Sequence, residues 1–576
     1  MKKFLLTIAL LCGLNHMAMG QTTYSRYDVN HDGCVSIEDA TWLVHSLLDG
    51  ADNKSLQLID PANADVNQDG RVDLEDIKWV ADRLLGRPNH TEPIDPILTS
   101  CWSQYAPYNK ACPKQCPPGC GSVATAQILR HYRMHDHGFG SVDYVVTRGP
   151  VDRVTRDFSV SQAFDWSNML DEYVSGNYTS VQEDAVSDFI YQVGNALHQQ
   201  YRFSGTPLTN YATALHGMHH NLHISPKAVY RYRRYYSSSE WLEMINTELE
   251  AGRPVYHAGK WVNNNPYGSD ADHIYVIDGR DAKGWYHINY GHGSKTQNKF
   301  CDLSVINQSG TYPGGSGVCY NVDQHMITDC YPVESGEWNE DNFIVESPLY
   351  VTDANPSLSY ELGKGFNLAM DLRNYSLDNR NYDVTIGIYN SKDELQQTLD
   401  EYSTSMTPVY HGTRTFRFVI PSSVASGEYK LRILCRSQNT EGWIPVLESV
   451  KATIGLIVDD DKYELTLPFY HNRETNLRLR ENVRVVDYSN QYVEFLLPVV
   501  NDSESNFEDN IRMTFLVNGE TTTYTRRISV YDHCNVDYHI QIPTSCIELQ
   551  QDNFELLSVE YYETCLGQWR ILEVGK

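Results

Sequence analysis

The sequence predicts a multi-domain chain: a small helical module first, an α+β domain in the middle, and two β-sandwich modules after it. Three observations carry this expectation. A stretch of residues, 28–50, recurs at 65–87, an offset of 37 residues. Between about 97 and 335 helical spacing dominates and gives way to strand-like runs after residue 254. From about 341 onward apolar and polar residues alternate, the period of half-buried strands. The length of 576 residues also exceeds what one core holds. With 46 Lys plus Arg against 74 Asp plus Glu, the net charge of −28 argues against nucleic acid or an anionic membrane as partner.

Residues 1–20 read as a signal peptide: Lys2 and Lys3, an apolar run from Phe4 to Leu14, then Ala18-Met19-Gly20. The run is too short to span a bilayer, and no later one reaches that length, so an exported chain without a transmembrane segment is expected. A lipidated Cys12 would want Leu where Ala9 stands.

In residues 21–87 each repeat opens with Asp-x-Asn-x-Asp-Gly, the start of a twelve-residue calcium loop. Hard oxygen ligands fall at positions 1, 3, 5 and 12: Asp28, Asn30, Asp32 and Asp39, then Asp65, Asn67, Asp69 and Asp76. Position 7 offers a backbone carbonyl, from Cys34 or Arg71, and position 9 is Ser36 or Asp73. Gly33 and Gly70 supply the sharp turn. After each loop a helical stripe follows: Ile37, Ala40, Leu43, Val44, Leu47 and Leu48, matched by Leu74, Ile77, Val80, Ala81, Leu84 and Leu85. A loop followed by a single helix, twice, resembles a dockerin. That resemblance implies two structural Ca2+ ions and a cohesin-like partner; a calcium-stabilised cap on the central domain is the plainer alternative.

Residues 88–96, with Pro88, Pro93 and Pro96, are a stiff linker. In the central domain, residues 97–335, helices are expected at roughly 122–134, 180–200, 208–221 and 239–251. The stretch PPGCGSVATAQILRHY sets Cys120 at the mouth of a helix, with Val123, Ala126, Ile128 and Leu129 on its buried side and Gln127 and Arg130 facing outward. The free N–H groups there bias a thiol toward the reactive thiolate. Downstream, residues 272–293 read as two strands joined by a turn, His273 opening the first and Asn289 closing the second. Side by side, they supply a base and an amide to hold its tautomer. Gln104, 16 residues before Cys120, is placed to join the Cys120 N–H as an oxyanion donor.

These pieces resemble the streptopain-like cysteine peptidases, of papain-like fold, in WSQYAPYN, GCGSVATAQIL, YQVGNALHQQY, GRPVYHAG, DHIYVIDG and WYHINYGHG. The resemblance implies Cys120 as nucleophile, His273 as base, Gln104 as oxyanion donor and Asn289 as orienter. It also implies protein or peptide substrates and no cofactor for catalysis. The family usually has Gly where this chain has Asp272, and Trp with a GWGG run where it has Tyr290 and GHGS. No room for the family's large prodomain exists between Gly86 and Cys101, so either the enzyme is made without a classical prodomain or the calcium module stands in its place. These departures keep a second reading in view, a non-catalytic binding or scaffold protein with a peptidase-like fold; a transamidase or amidase is a third.

His216, His219, His220 and His223 read as helix-surface histidines, not a metal site. For Cys101, Cys112, Cys116 and Cys120, zinc spacing competes with the nucleophile role and with the disulfides expected of an exported protein. Residues 341–457 and 458–576, parted at VDDDK, are read as two Ig-like β-sandwich modules. Their expected role is spacing or stability. In the second, Met513, Phe515 and Val517 lead into an Asn518-Gly519 turn and a return strand.

Overall fold

The computed structural model describes residues 29, 37–49, 66, 72–84, 93–261, 271–282, 284–303, 320–334, 342–353, 357–437, 442–468, 474–550, 553–563 and 566–575. The chain forms two units, the second beginning at Ile94. The expected signal peptide lies outside the described residues. No helix among them is long and apolar enough to cross a membrane.

In the first unit, α1 (Ile37–Asp49) and α2 (Leu74–Leu84) follow the two loops. Ala40 and Leu43 meet Ile77 and Val80 in one small core, joined by Val29, Val66 and Trp79. The two stripes therefore pack together, as helices too short to be stable alone must. Leu74 is a correction: at the first position of α2 it is 61% exposed, while Trp79 takes a buried place.

The second unit opens with the central region. Its helices are α3 (Cys120–Tyr132), α4 (Ser180–Ala196), α5 (Tyr211–Leu222) and α6 (Ser238–Glu250). A hairpin pairs β1 (Ser141–Val145) with β2 (Arg153–Asp157). The sheet beneath α3 is formed from β3 (Val229–Tyr232), β4 (Val255–Trp261), β5 (Ala271–Arg280), β6 (Tyr286–Asn289), β7 (Lys299–Cys301) and β8 (Val322–Thr328), in the order β3-β8-β4-β5-β6-β7 and antiparallel throughout. One core, with α3, α4 and α5, lies on one side; a second, with Trp241, Ile245 and Leu249 of α6, lies on the other.

Two of the expectations about side chains here are corrected. Two of the histidines of α5 are not on its surface: His219 is fully buried, its ring nitrogens 3.2 and 3.1 Å from the carbonyl oxygens of Ile224 and Ala228, and His216 reaches the Tyr375 carbonyl. Burial lowers the His219 imidazole to about 4. The nine described cysteines are free thiols, Cys112 and Cys116 buried in the α3 core, where the sequence suggested disulfides.

Beyond residue 342 the chain is strand after strand. Among the described residues a five-stranded and an eight-stranded sheet share one core, with Phe366, Leu368 and Phe418 facing Val384, Ile386 and Ile433. Two four-stranded sheets share the next, with Phe495 and Leu497 against Met513 and Phe515. The boundary expected at 458 is corrected. Strands Ile454–Val458 and Lys462–Thr466 pair with each other, so Asp459–Asp461 is a turn inside the first region. The first core runs to Leu465 and the second begins at Leu477. The expected hairpin closes with Val517 opposite Glu520, and its turn holds Asn518 at φ 50° and Gly519 at φ 90°.

These β regions are not spacers on a tether. Arg231 donates to the Glu448 carbonyl and the Tyr236 hydroxyl to that of Ser449, while Ser238 bonds Asp532 of the last region. The Arg233 guanidinium lies 4.0 Å over the Tyr531 ring. Residues 231–238 thus dock on both.

Candidate active site

Cys120 is the first residue of α3, and the chain reaches it through Gly119 at φ 93°. A Cβ at 119 would stand 2.8 Å from the Thr206 carbonyl oxygen and 2.9 Å from the Gln199 amide. Conformation and space both demand glycine. The starts of α4, α5 and α6 are capped by the side chains of Thr179, Asn210 and Ser237, whereas α3 has no side-chain cap. Its first N–H groups, with the positive end of the helix dipole, therefore lie at the cysteine.

Burial works against the expected thiolate bias. Burial pushes the Cys120 thiol above its ordinary range, and the Asp272 carboxylate adds a smaller push the same way. The N–H groups of Ile274, Gly121 and Cys120 itself pull downward but do not prevail. These contacts set the sulfur against β5 where His273 joins Ile274.

His273 is buried, and burial, then the neighbouring His292, lowers its imidazole to about 4. Its Nε2 stands 2.9 Å from the Tyr290 carbonyl oxygen. A carbonyl only accepts, so this contact puts the ring proton on Nε2 and leaves Nδ1 as the basic atom. The His292 and Tyr320 rings flank it, centroids at 5.3 and 5.0 Å.

Asn289 is not beside His273. In the β5–β6 register it faces Val276. Its amide donates to the Ser100 carbonyl at 2.9 Å, accepts from the Gly291 N–H, and meets the Gln127 amide at 3.3 and 3.4 Å. Gln127 in turn accepts from the Trp102 N–H at 2.9 Å. The orienting contact expected of Asn289 is made by the next residue's backbone instead, and Asn289 ties β6, α3 and residues 100–102 together. Gln127, expected to face outward, is fully buried, and Arg130 likewise, donating to the Met169 carbonyl. Gln104 lies half-buried two residues past Trp102; the Gly293 N–H donates to the Trp102 carbonyl, and a Cβ on Gly293 would meet Ser103 at 3.1 Å. The loop carrying Gln104 thus lies against the turn that follows Tyr290.

Tyr290 as a backbone acceptor, Gln127 as a buried amide, and the rings of His292 and Tyr320 were missed from the sequence. Gln127 alone had a signal, its place between Ala126 and Ile128 within an apolar run.

Of the twelve expected calcium-loop residues, Asp39, Asp73 and Asp76 are described. Asp28, Asn30, Asp32, Cys34, Ser36, Asp65, Asn67, Asp69 and Arg71 lie outside the described residues. Asp39 and Asp76, the twelfth position of each loop, are fully buried carboxylates. Each holds loop backbone at 2.7 Å: Asp39 accepts from Val29 N–H and Asp76 from Asp73 N–H. Buried carboxylates at both twelfth positions fit a divalent cation.

Residues 102–300 match the model of the Peptidase C10 family, and residues 26–85 that of the dockerin type I domain. The thiol protease/hemagglutinin PrtT of Porphyromonas gingivalis is 25% identical over 390 residues, 65% of this chain and 41% of PrtT. Streptopain of Streptococcus pyogenes is 26% identical over 218 residues, 37% of this chain and 52% of streptopain. The chain thus spans about half the length of the curated relatives it matches. Among solved structures, the active wild-type Prevotella intermedia interpain A cysteine protease is similar at 27% identity, covering 42% of this chain and 99% of that one, with a TM-score of 0.38. The central segment is similar to streptopain-type cysteine peptidases, and the N-terminal one to dockerins.

Proposed function

We propose that the Peptidase C10 segment, residues 102–300, works as a cysteine endopeptidase in an exported protein. The observation that carries this reading is the meeting of an uncapped helix start at Cys120 with a base whose tautomer is held by the Tyr290 carbonyl. Burial favours the neutral form of both thiol and imidazole in the resting site. His273 Nδ1 takes the Cys120 proton as Sγ bonds the scissile carbonyl carbon, and the carbonyl π pair moves to oxygen. The Cys120 N–H and the Gln104 amide receive that oxyanion. The imidazolium then protonates the leaving amine as the C–N bond breaks, and water hydrolyses the thioester. Asn289 holds the strand that carries the Tyr290 carbonyl.

Residues 21–87 are read as a dockerin-like module with two structural Ca2+ sites and a cohesin-like partner, and the two β regions as Ig-like sandwiches. Calcium, when bound, supplies folding energy to the loops and no chemistry at Cys120. The second reading, a binding protein on a peptidase scaffold, is favoured by the burial that pushes the Cys120 thiol up.

A thiol-reactive peptide epoxide separates the two. One label at Cys120, lost in Cys120→Ala and His273→Ala together with at least about 1000-fold of peptide hydrolysis, is the expected result. An unlabelled wild-type protein supports the scaffold.

A further inference from the structure

Tyr320 stands two residues before the first residue of β8, and its ring flanks the imidazole of His273. Its backbone is pressed onto β4 opposite that histidine: a Cβ on Gly259 would meet the Tyr320 carbonyl oxygen at 2.3 Å, and Gly259 is the cross-strand partner of His273. Only glycine lets the strap at 320 come so near. Within the central region the Gln324 amide donates to the same carbonyl at 3.2 Å.

The stronger hold comes from the last β region. Asn321 is buried; its side-chain amide donates to the Tyr538 hydroxyl at 3.0 Å, and its backbone carbonyl accepts from the Tyr531 hydroxyl at 2.9 Å. Tyr538 is fixed by the backbone of Ser529, and Tyr531 by the Arg233 guanidinium over its ring. Two residues on, both oxygens of Asp323 accept from the Arg527 guanidinium, at 3.1 and 3.2 Å. Asp323 also pairs with Lys260 of β4 at 3.1 Å. The strap 320–323 is therefore clasped at two points by side chains more than 200 residues away in sequence.

We infer that the last β region, residues 474–575, is a working part of the active site: through Tyr531 and Tyr538 on Asn321 it presses Tyr320 against His273, and Tyr320 is a positioning residue for the base. The inference rests on His273 being that base. Two hydroxyls grip both sides of one residue, and the neighbouring residue's ring seals the imidazole from water. Without that seal the ring gains solvent and its charged form becomes easier to reach.

The test uses the full chain with labelled histidine, the His273 signal being assigned by its loss in His273→Gln. Its titration is followed by NMR in wild type, Tyr320→Phe, Tyr320→Ala, Asn321→Ala and a Tyr531→Phe, Tyr538→Phe double variant. The double variant removes only two hydroxyls, which guards against misfolding. In Tyr320→Ala the midpoint is expected to rise from about 4 toward the ordinary imidazole value, and in Asn321→Ala and the double variant by roughly half a unit or more. Tyr320→Phe keeps the wild-type midpoint. Turnover falls about tenfold with KM within about twofold in the Asn321 and double variants. An unmoved His273 midpoint in folded Asn321→Ala and double-variant protein overturns the inference, with or without hydrolysis. A moved midpoint in a protein that never hydrolyses peptides sustains the clasp and sinks only the peptidase reading.

Discussion

In the central region, the core against α6 buries Trp241, Tyr275, Tyr286, Tyr290 and Tyr320, and the imidazoles of His257 and His273 are shut in beside them, while that of His325 is shut in on the other face of the sheet. In the last β region, Val493, Phe495, Leu497 and Val499 meet Ile511, Met513, Phe515 and Val517, with hardly a titratable atom among them. Both interiors exclude water, but only one of them can change its charge. Aliphatic side chains alternating on strands lose nothing when the pH moves. An interior lined with rings that carry ionisable nitrogen holds its chemistry at the cost of depending on protonation.

Acid makes the largest test of that contrast. Burial lowers His198, His219, His273 and His325 to about 4 each in the folded chain, against about 6.5 when unfolded. The unfolded chain then takes up protons that the folded chain refuses. Stability is full above pH 6.5 and falls as the pH drops through 6.5 toward 4, by up to about 3 kcal/mol for each fully buried ring. Segment-resolved hydrogen exchange at pH 7 and 4.5 should show residues 94–334 losing protection well before residues 477–563. Simultaneous loss in both would erase the distinction.

A truncation in the aliphatic core tests the other side. Phe515→Ala, at a fully buried position, should cost about 3–5 kcal/mol in urea melts. That loss should be the same at pH 7 and pH 5, because nothing around Phe515 titrates there; a pH-dependent loss would show the two interiors to be alike.

The smallest expected effect sharpens the site itself. Asn289→Ala strands the Gln127 amide and the Ser100 carbonyl, at about 1–3 kcal/mol of stability. It leaves the Tyr290 carbonyl on His273 in place. Turnover should therefore fall far less than in His273→Ala, and equal losses would return the orienting role to Asn289.

The features legible in the sequence obey local rules. Periodicity found α3 to α6 within a few residues, and Asn518-Gly519 announced its hairpin through two residues at positive φ. The order Gln104, Cys120, His273, Asn289 named residues that the fold gathers around α3, β5 and β6. Contacts made across the chain were not legible. Gln127 looked like a surface residue because the amide that buries it lies 162 residues away. Asp459–Asp461 looked like a linker because only the pairing of the strands on either side shows it to be a turn. The imidazole's partner was a backbone carbonyl, which no side-chain pattern can announce. Tyr320 and Asn321 lie in a stretch without a motif, and their meaning comes from hydroxyls near the far end of the chain.

The seating of residues 231–238 on both β regions bears on how such a gene can be rearranged. A recombination that moved residues 94–334 alone into a new setting would leave the Tyr236 hydroxyl and the Arg231 and Arg233 guanidiniums without the acceptors and ring they now meet. It would also take Ile344 and Tyr375 out of the core beneath α3 and α5. The shortest inheritable block that keeps these groups satisfied runs from Ile94 through the last strand. Shuffling can therefore drop neither β region without stranding groups of the central one.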